Sequence, residues 1–227
     1  MMTKKQRAQI IVQRMKQMYP DAICSLEYRD PLQLLIAVVL SAQCTDERVN
    51  KVTPALFERF STLEAFCEAD VEEIAEYIRS CGFYNSKSKN ISALCKMIQS
   101  DFGGKVPDTI EQLVKLPGVG RKTANLICGD VYGTEGYVVD THMIRISQRM
   151  GLCSVKEGES DPAYKIEMQL RALIDQSESA AFCHRIVLHG RALCSARKAN
   201  CDACALNDVC KKDIKKPAAK KRAVAKE

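Results

Sequence analysis

Apolar side chains return every three or four positions along most of the chain, as at Ile91, Leu94, Cys95 and Ile98, whereas alternation in steps of two is nearly absent. That period gives each segment one apolar face and predicts about ten helices and no sheet. The one extended candidate, Tyr137-Val138-Val139, is too short to pair into anything alone. Asp30-Pro31, Thr53-Pro54 and Asp161-Pro162 each predict an N-cap followed by proline at the first helical position. Ser61 with Glu64, Asp70 with Glu73 and Asp108 with Glu111 have capping-box spacing, and Gly82, Gly103, Gly133, Gly151 and Gly190 sit where helices should end. The N-terminal residues interleave bases with apolar positions and lack a small-residue cleavage site, which predicts an amphipathic helix and not a signal peptide. The longest apolar run, Leu34 to Leu40, falls far short of the roughly 18 residues of a membrane span.

A hydrophobic content of 46% in 227 residues suffices for a real core and excludes disorder for most of the chain. The formal charge of +6 changes the picture less than it first suggests, because the last 17 residues hold eight bases and two acids and leave the body neutral. Bulk charge therefore does not make this a polyanion binder. Two local runs free of acid remain: Arg79, Lys87, Lys89 and Lys96, then Arg185, Arg191, Arg197 and Lys198. Each suits either a phosphate backbone or a solvated helix face. With no signal peptide expected, the twelve cysteines are expected to sit in a reducing compartment, where disulfides are rare.

Four of those cysteines, Cys194, Cys201, Cys204 and Cys210, fall within seventeen residues. Four thiolates at that density suit a tetrahedral zinc or a cubane iron-sulfur cluster, and spacing does not choose between them. The other eight lie mostly at apolar helix positions and read as buried small hydrophobes. A second feature is Leu116-Pro-Gly-Val-Gly-Arg-Lys-Thr-Ala124, set between two predicted helices. Gly118 and Gly120 permit a sharp turn whose exposed N–H groups would seat a phosphate, with Arg121 beside it. Lys122 then falls in the first turn of a helix, where the dipole opposes its ammonium charge; it suits either a phosphate contact or an amine nucleophile. Asp140, in Val139-Asp140-Thr-His142, suits either a helix cap or a general base or charge stabiliser beside Lys122.

The hairpin LPGVGRKTA, the later VVDTH, the four-cysteine loop and Ser41-Ala-Gln-Cys-Thr-Asp46 together resemble the endonuclease III family of helix-hairpin-helix DNA glycosylases, in order from about residue 5 to residue 212. The resemblance implies an all-α, two-lobed fold, with a six-helix barrel over 24–134 and a cluster lobe joining 1–23 to 135–211; the basic tail over 212–227, which it leaves uncovered, reads as disordered from its Lys, Ala and Pro content. It also implies a bifunctional DNA glycosylase and abasic-site lyase that removes oxidised pyrimidines from duplex DNA and cuts the strand 3′ to the abasic site. Lys122 matches the family's nucleophile and Asp140 its charge-stabilising aspartate, acting on a nucleotide flipped out of the duplex. The four late cysteines match the ligands of a [4Fe-4S] cluster, with Arg191, Arg197 and Lys198 presented to DNA around them. Gln43 and Phe83 match the positions that fill the gap left by the flipped base.

Three departures from the family pattern stand out: Cys44 in place of alanine, Phe83 in place of leucine, and no proline in Gly133-Thr-Glu-Gly-Tyr137. Two rival readings fit part of the same pattern. An adenine-mismatch glycosylase shares hairpin and cluster but lacks the lysine at the Lys122 position and carries an extra recognition domain. A non-catalytic iron-sulfur DNA-binding module needs neither Lys122 nor Asp140. The expected setting is a monomer on damaged duplex DNA with no membrane partner, in the cytoplasm at the nucleoid, or in a nucleus if the source has one.

Overall fold

The computed structural model describes residues 2–213. Among these the fold is all-helical, with eleven α-helices and two short 3-10 turns; the extended pairing is a single isolated bridge between Cys194 and Ala199. In chain order the helices are α1 (Lys4–Met18), α2 (Pro31–Ser41), α3 (Asp46–Arg59), α4 (Leu63–Glu68), α5 (Val71–Ile78), α6 (Tyr84–Asp101), α7 (Ile110–Leu113), α8 (Arg121–Asp130), α9 (Thr141–Arg149), α10 (Pro162–Arg171) and α11 (Ser179–Ala192). None of the described helices is long and apolar enough to cross a membrane. Most of the expected tail lies outside the described residues, but its start is tied down: Asp213 N–H donates to Arg149 O at 3.2 Å.

Side chains gather into two apolar cores. The first runs from Leu26 to Cys128 and is centred on α2, where every residue from Leu34 to Leu40 is buried. Each Leu, Ile and Val among them contributes about 1.5–3 kcal/mol by leaving water. The second joins the two ends of the chain, packing Ala8, Ile11 and Met15 of α1 against Tyr137, Met143, Ile146, Ile166, Phe182, Leu206 and Val209. Five of the eight cysteines outside the late group (Cys81, Cys95, Cys128, Cys153 and Cys183) are buried. Burial pushes the Cys81 and Cys153 thiols up to about 11, which keeps them protonated and unreactive.

Short-range punctuation explains most helix starts. Asp30 and Asp161 cap α2 and α10, accepting from Gln33 N at 2.9 Å and Tyr164 N at 3.0 Å, with Pro31 and Pro162 just inside. Four expectations need correction. Thr53-Pro54 does not start a helix; α3 begins earlier, at the Thr45 cap, and runs through Pro54 because Val49, Thr53 and Leu56 on one face are buried. That burial outweighs the roughly 3 kcal/mol that an interior proline costs. Ser61 yields to Thr62, whose hydroxyl caps Ala65 N at 3.2 Å, and Asp108 yields to Thr109 as the N-cap of α7. Asp70 does cap α5, but without a side-chain bond, and Glu73 turns to pair with Arg59.

The fourth correction is Gly190, which lies inside α11 and does not end it. A Cβ there would stand 2.2 Å from His142 Nδ1 and 2.9 Å from Ile146 Cδ1, so glycine is what lets α11 cross α9 closely. Gly190→Ala is expected to cost about 1–3 kcal/mol through overpacking. Thermal unfolding followed by circular dichroism checks this, and an unchanged midpoint would refute the close-crossing account.

Candidate active site

The hairpin joins α7 to α8. Leu116 and Val119 are buried and pin it to the first core. Gly118 sits at φ +77°, and a Cβ on it would meet Asn90 Nδ2 at 2.9 Å and Cβ at 3.0 Å, so both backbone and space demand glycine. Gly120, the N-cap of α8, faces open space and offers no side-chain cap, which leaves the first N–H groups of α8 free for an anion. Lys122, the second residue of α8, is exposed beside them.

Asp140 caps α9 and accepts from Met143 N at 2.7 Å through one oxygen; its other oxygen has no hydrogen-bond partner among the described residues. The segment leading to it is fixed against α8. Buried Asn125, one turn beyond Lys122, accepts from Tyr137 N at 3.0 Å and donates to Arg121 O at 3.1 Å. The Gly129 and Gly136 backbones touch, since a Cβ on Gly136 would lie 2.5 Å from Gly129 Cα. Lys122 and Asp140, eighteen residues apart in sequence, therefore sit on two elements that cannot move independently. His142 registers both: burial lowers its pKa, Asp140 raises it, and Arg145, Arg191 and Lys122 lower it, so the imidazole is neutral at pH 7.

Gln43 and Phe83 are exposed, Phe83 to 66% despite its aromatic ring, which excludes a core role for it. Arg191, Arg197 and Lys198 are exposed as well. Three bases turn inward: Arg121 from the expected phosphate seat, and Lys87 and Arg185 from the two acid-free runs. Arg121 is engaged internally: Nε and Nη2 donate to Glu167 at 2.8 and 2.7 Å, and its guanidinium lies 4.8 Å over the Tyr164 ring. Lys87 is buried, with Nζ donating to Leu40 O and Cys81 O. Arg185 is buried and donates to Tyr19 O and Glu178. Glu167, itself 3% exposed and also bonded by Arg171, was not foreseen, nor were Asn125 and Arg149. No local motif marks them: Glu167 and Arg149 take partners 45 or more residues away, and Asn125 joins α8 to a segment 12 residues on.

Cys194, Cys201, Cys204 and Cys210 line one small cavity, together with Arg149 and His189. Donors point at three of the sulfurs: Arg149 Nη1 lies 3.3 Å from Cys194 Sγ, Leu206 N is 3.4 Å from Cys204 Sγ, and Lys212 N is 3.4 Å from Cys210 Sγ. N–H groups aimed at sulfur suit thiolates that carry charge. Among the described residues no three His, Cys, Asp or Glu side chains are grouped tightly enough to hold one metal ion. Arg149 also donates to Ser195 O at 2.7 Å and Ala196 O at 3.0 Å, and Ser195 Oγ accepts from Lys198 N at 3.1 Å. This framework fixes the turn that carries Arg197 and Lys198 outward.

The fold and this site define a class: residues 36–173 match the HhH-GPD superfamily of base excision DNA repair proteins. Endonuclease III of Synechocystis sp. is 49% identical over 211 residues, covering 92% of this chain and 94% of that one. Endonuclease III of Bacillus subtilis is 40% identical over 88% of this chain and 89% of its own. A solved structure of a trapped endonuclease III–DNA covalent intermediate, 42% identical, superposes with a TM-score of 0.83 over 93% of this chain and 97% of that one. A thermostable thymine-DNA glycosylase, at 21% identity and a TM-score of 0.78, shares the fold. The chain belongs to the endonuclease III family. It is accordingly a base-excision-repair enzyme, a bifunctional DNA glycosylase and abasic-site lyase.

Proposed function

We infer that Lys122 and Asp140 form the catalytic pair of a lyase that acts on oxidised pyrimidines in duplex DNA through a Schiff base. What carries this reading is the fixed relation of the two residues, set by Asn125 and by the Gly129–Gly136 contact. The open N-terminus of α8 and Gly120 hold a phosphate of the damaged strand and bring the flipped nucleotide's C1′ to Lys122. The Lys122 amine attacks C1′, the glycosidic C–N bond breaks, and the base departs with the electron pair and takes up a proton. The unpartnered oxygen of Asp140 faces the positive charge that develops on the sugar. Ring opening leaves a protonated imine, loss of a C2′ proton follows, and the C3′–O bond breaks with the phosphate as leaving group.

The four cysteines suit a [4Fe-4S] cluster better than zinc. They surround one cavity without converging on a single point, and two of the donors aimed at their sulfurs are backbone N–H groups. Bound there, such a cluster supplies a rigid, charged anchor for the loop and no chemistry at the sugar. Gln43 and Phe83 occupy the gap in the duplex, while Arg191, Arg197 and Lys198 contact phosphates without reading sequence.

Borohydride trapping of the isolated protein on duplexes carrying an abasic site or thymine glycol tests the reading. A covalent adduct on both is expected, from brown protein containing iron and sulfide in equal amounts. Absence of an adduct would overturn the lyase assignment of Lys122, and zinc in place of iron would overturn the cluster.

A further inference from the structure

Gln43 and Phe83 share a feature that their sequence neighbourhoods do not announce. Both adopt left-handed backbone, at φ +53° and +51°, although neither is glycine. Such residues cost on the order of 1–3 kcal/mol each and persist where the surroundings over-determine them. Neither side chain is buried, so packing of Gln43 or Phe83 themselves does not hold the strain. The restraint comes from beneath. Lys87, 5% exposed, sends its ammonium inward to donate to Leu40 O at 2.7 Å and to Cys81 O at 2.8 Å.

Leu40 lies three residues before Gln43 at the end of α2, and Cys81 two residues before Phe83 ahead of α6. One charged group thus bonds the backbone at the root of each loop. Burying an ammonium is costly, and a chain that needed only a filled cavity here would use an apolar side chain. Burial lowers the Lys87 pKa. The position departs from the run of exposed bases around it, since Lys89 and Lys96 face solvent.

We propose that Lys87 is a positioning residue that locks the Gln43 and Phe83 loops into one preset wedge, so that the duplex meets an already ordered pair of side chains when the damaged nucleotide is flipped. This rests on the reading of Gln43 and Phe83 as gap-filling residues. Preorganisation of this kind spares the ordering cost at the moment of binding. A wedge displaced by about 1 Å forfeits on the order of a hundredfold in rate.

The test compares Lys87→Met with the unaltered full chain on two substrates: an abasic site in a fully paired duplex, and the same strand without its complement, where nothing needs wedging apart. The expected result is a loss of about tenfold or more in kcat/KM on the paired duplex, with borohydride trapping on the single strand unchanged. Phe83→Ala should show the same selective loss, and adding Lys87→Met to it should cost little more, because the two act in series. Equal losses on both substrates, or additive losses in the double variant, would overturn the proposal. If Lys87→Met does not fold, Lys87→Gln, which lacks the charge and the reach to bond both carbonyls, carries the same comparison; wild-type rates for it on paired DNA would count against the clamp. Full activity of both Phe83→Ala and Gln43→Ala on the paired duplex would instead sink the gap-filling reading itself.

Discussion

Lys122→Gln is expected to abolish borohydride trapping and to slow strand cutting at an abasic site by on the order of 10³-fold or more, about 4 kcal/mol of barrier. The fold should not notice, because Lys122 is exposed and a surface change of this kind stays within about 0.5 kcal/mol. The competing role, a lysine that merely contacts a phosphate, predicts something different. Loss of one phosphate contact weakens DNA binding and lowers the salt slope by about 1. Cutting would then recover at saturating enzyme. Lys122→Arg separates the two roles further, since it keeps the charge and the contact but supplies no amine nucleophile. Trapping retained by Lys122→Arg or Lys122→Gln would move the Schiff base to another residue.

Why the hairpin ahead of Lys122 was legible in sequence and the inward turn of Lys87 was not has a physical answer. The hairpin announces itself through local necessity: Gly118 must take positive φ against Asn90, Gly120 must leave helix N–H groups open, and Leu116 and Val119 must face the core. All of that is written within a few consecutive residues. The Asp30 and Asp161 caps, and the glycines after α6, α8 and α9, are equally local. Lys87 belongs to a run of bases that looks solvated, and its partner at Leu40 lies 47 residues away. Charge runs tell the sign of a segment but not which of its side chains turns inward.

The same limit accounts for the other corrections. Arg121 looked like part of the phosphate seat, yet its partner Glu167 is 46 residues distant, and burial of that carboxylate at 3% exposure demands a paired guanidinium. Arg185 answers to Tyr19 across 166 residues, because α1 returns to pack on α11. Gly190 has the composition of a helix stop but is fixed by His142 from another helix. Pro54 has the signature of a helix start, and a longer apolar stripe overrode it. Cap, turn and periodicity signals thus delivered the elements, whereas long-range pairing decided which bases remain available to DNA.

Asp140→Asn is expected to lower glycosylase and lyase rates by on the order of 10²–10³-fold, the magnitude seen when one preorganised electrostatic group is removed from a transition state. Its effect on stability should be near zero, because asparagine caps a helix about as well as aspartate and Met143 N keeps its acceptor. Asp140→Ala removes the cap as well and should cost about 1 kcal/mol in addition to the rate. The pair of variants therefore divides the observed cap from the proposed charge stabilisation. The capping oxygen of Asp140 is matched by the amide of asparagine; the charge on its second oxygen is not. Single-turnover rates on a duplex with thymine glycol, measured beside thermal unfolding, give both quantities. If Asp140→Asn cut as fast as the unaltered enzyme while Asp140→Ala lost stability and rate together, Asp140 would be a cap alone, and Lys122 would have to draw its charge stabilisation from the substrate's own phosphates.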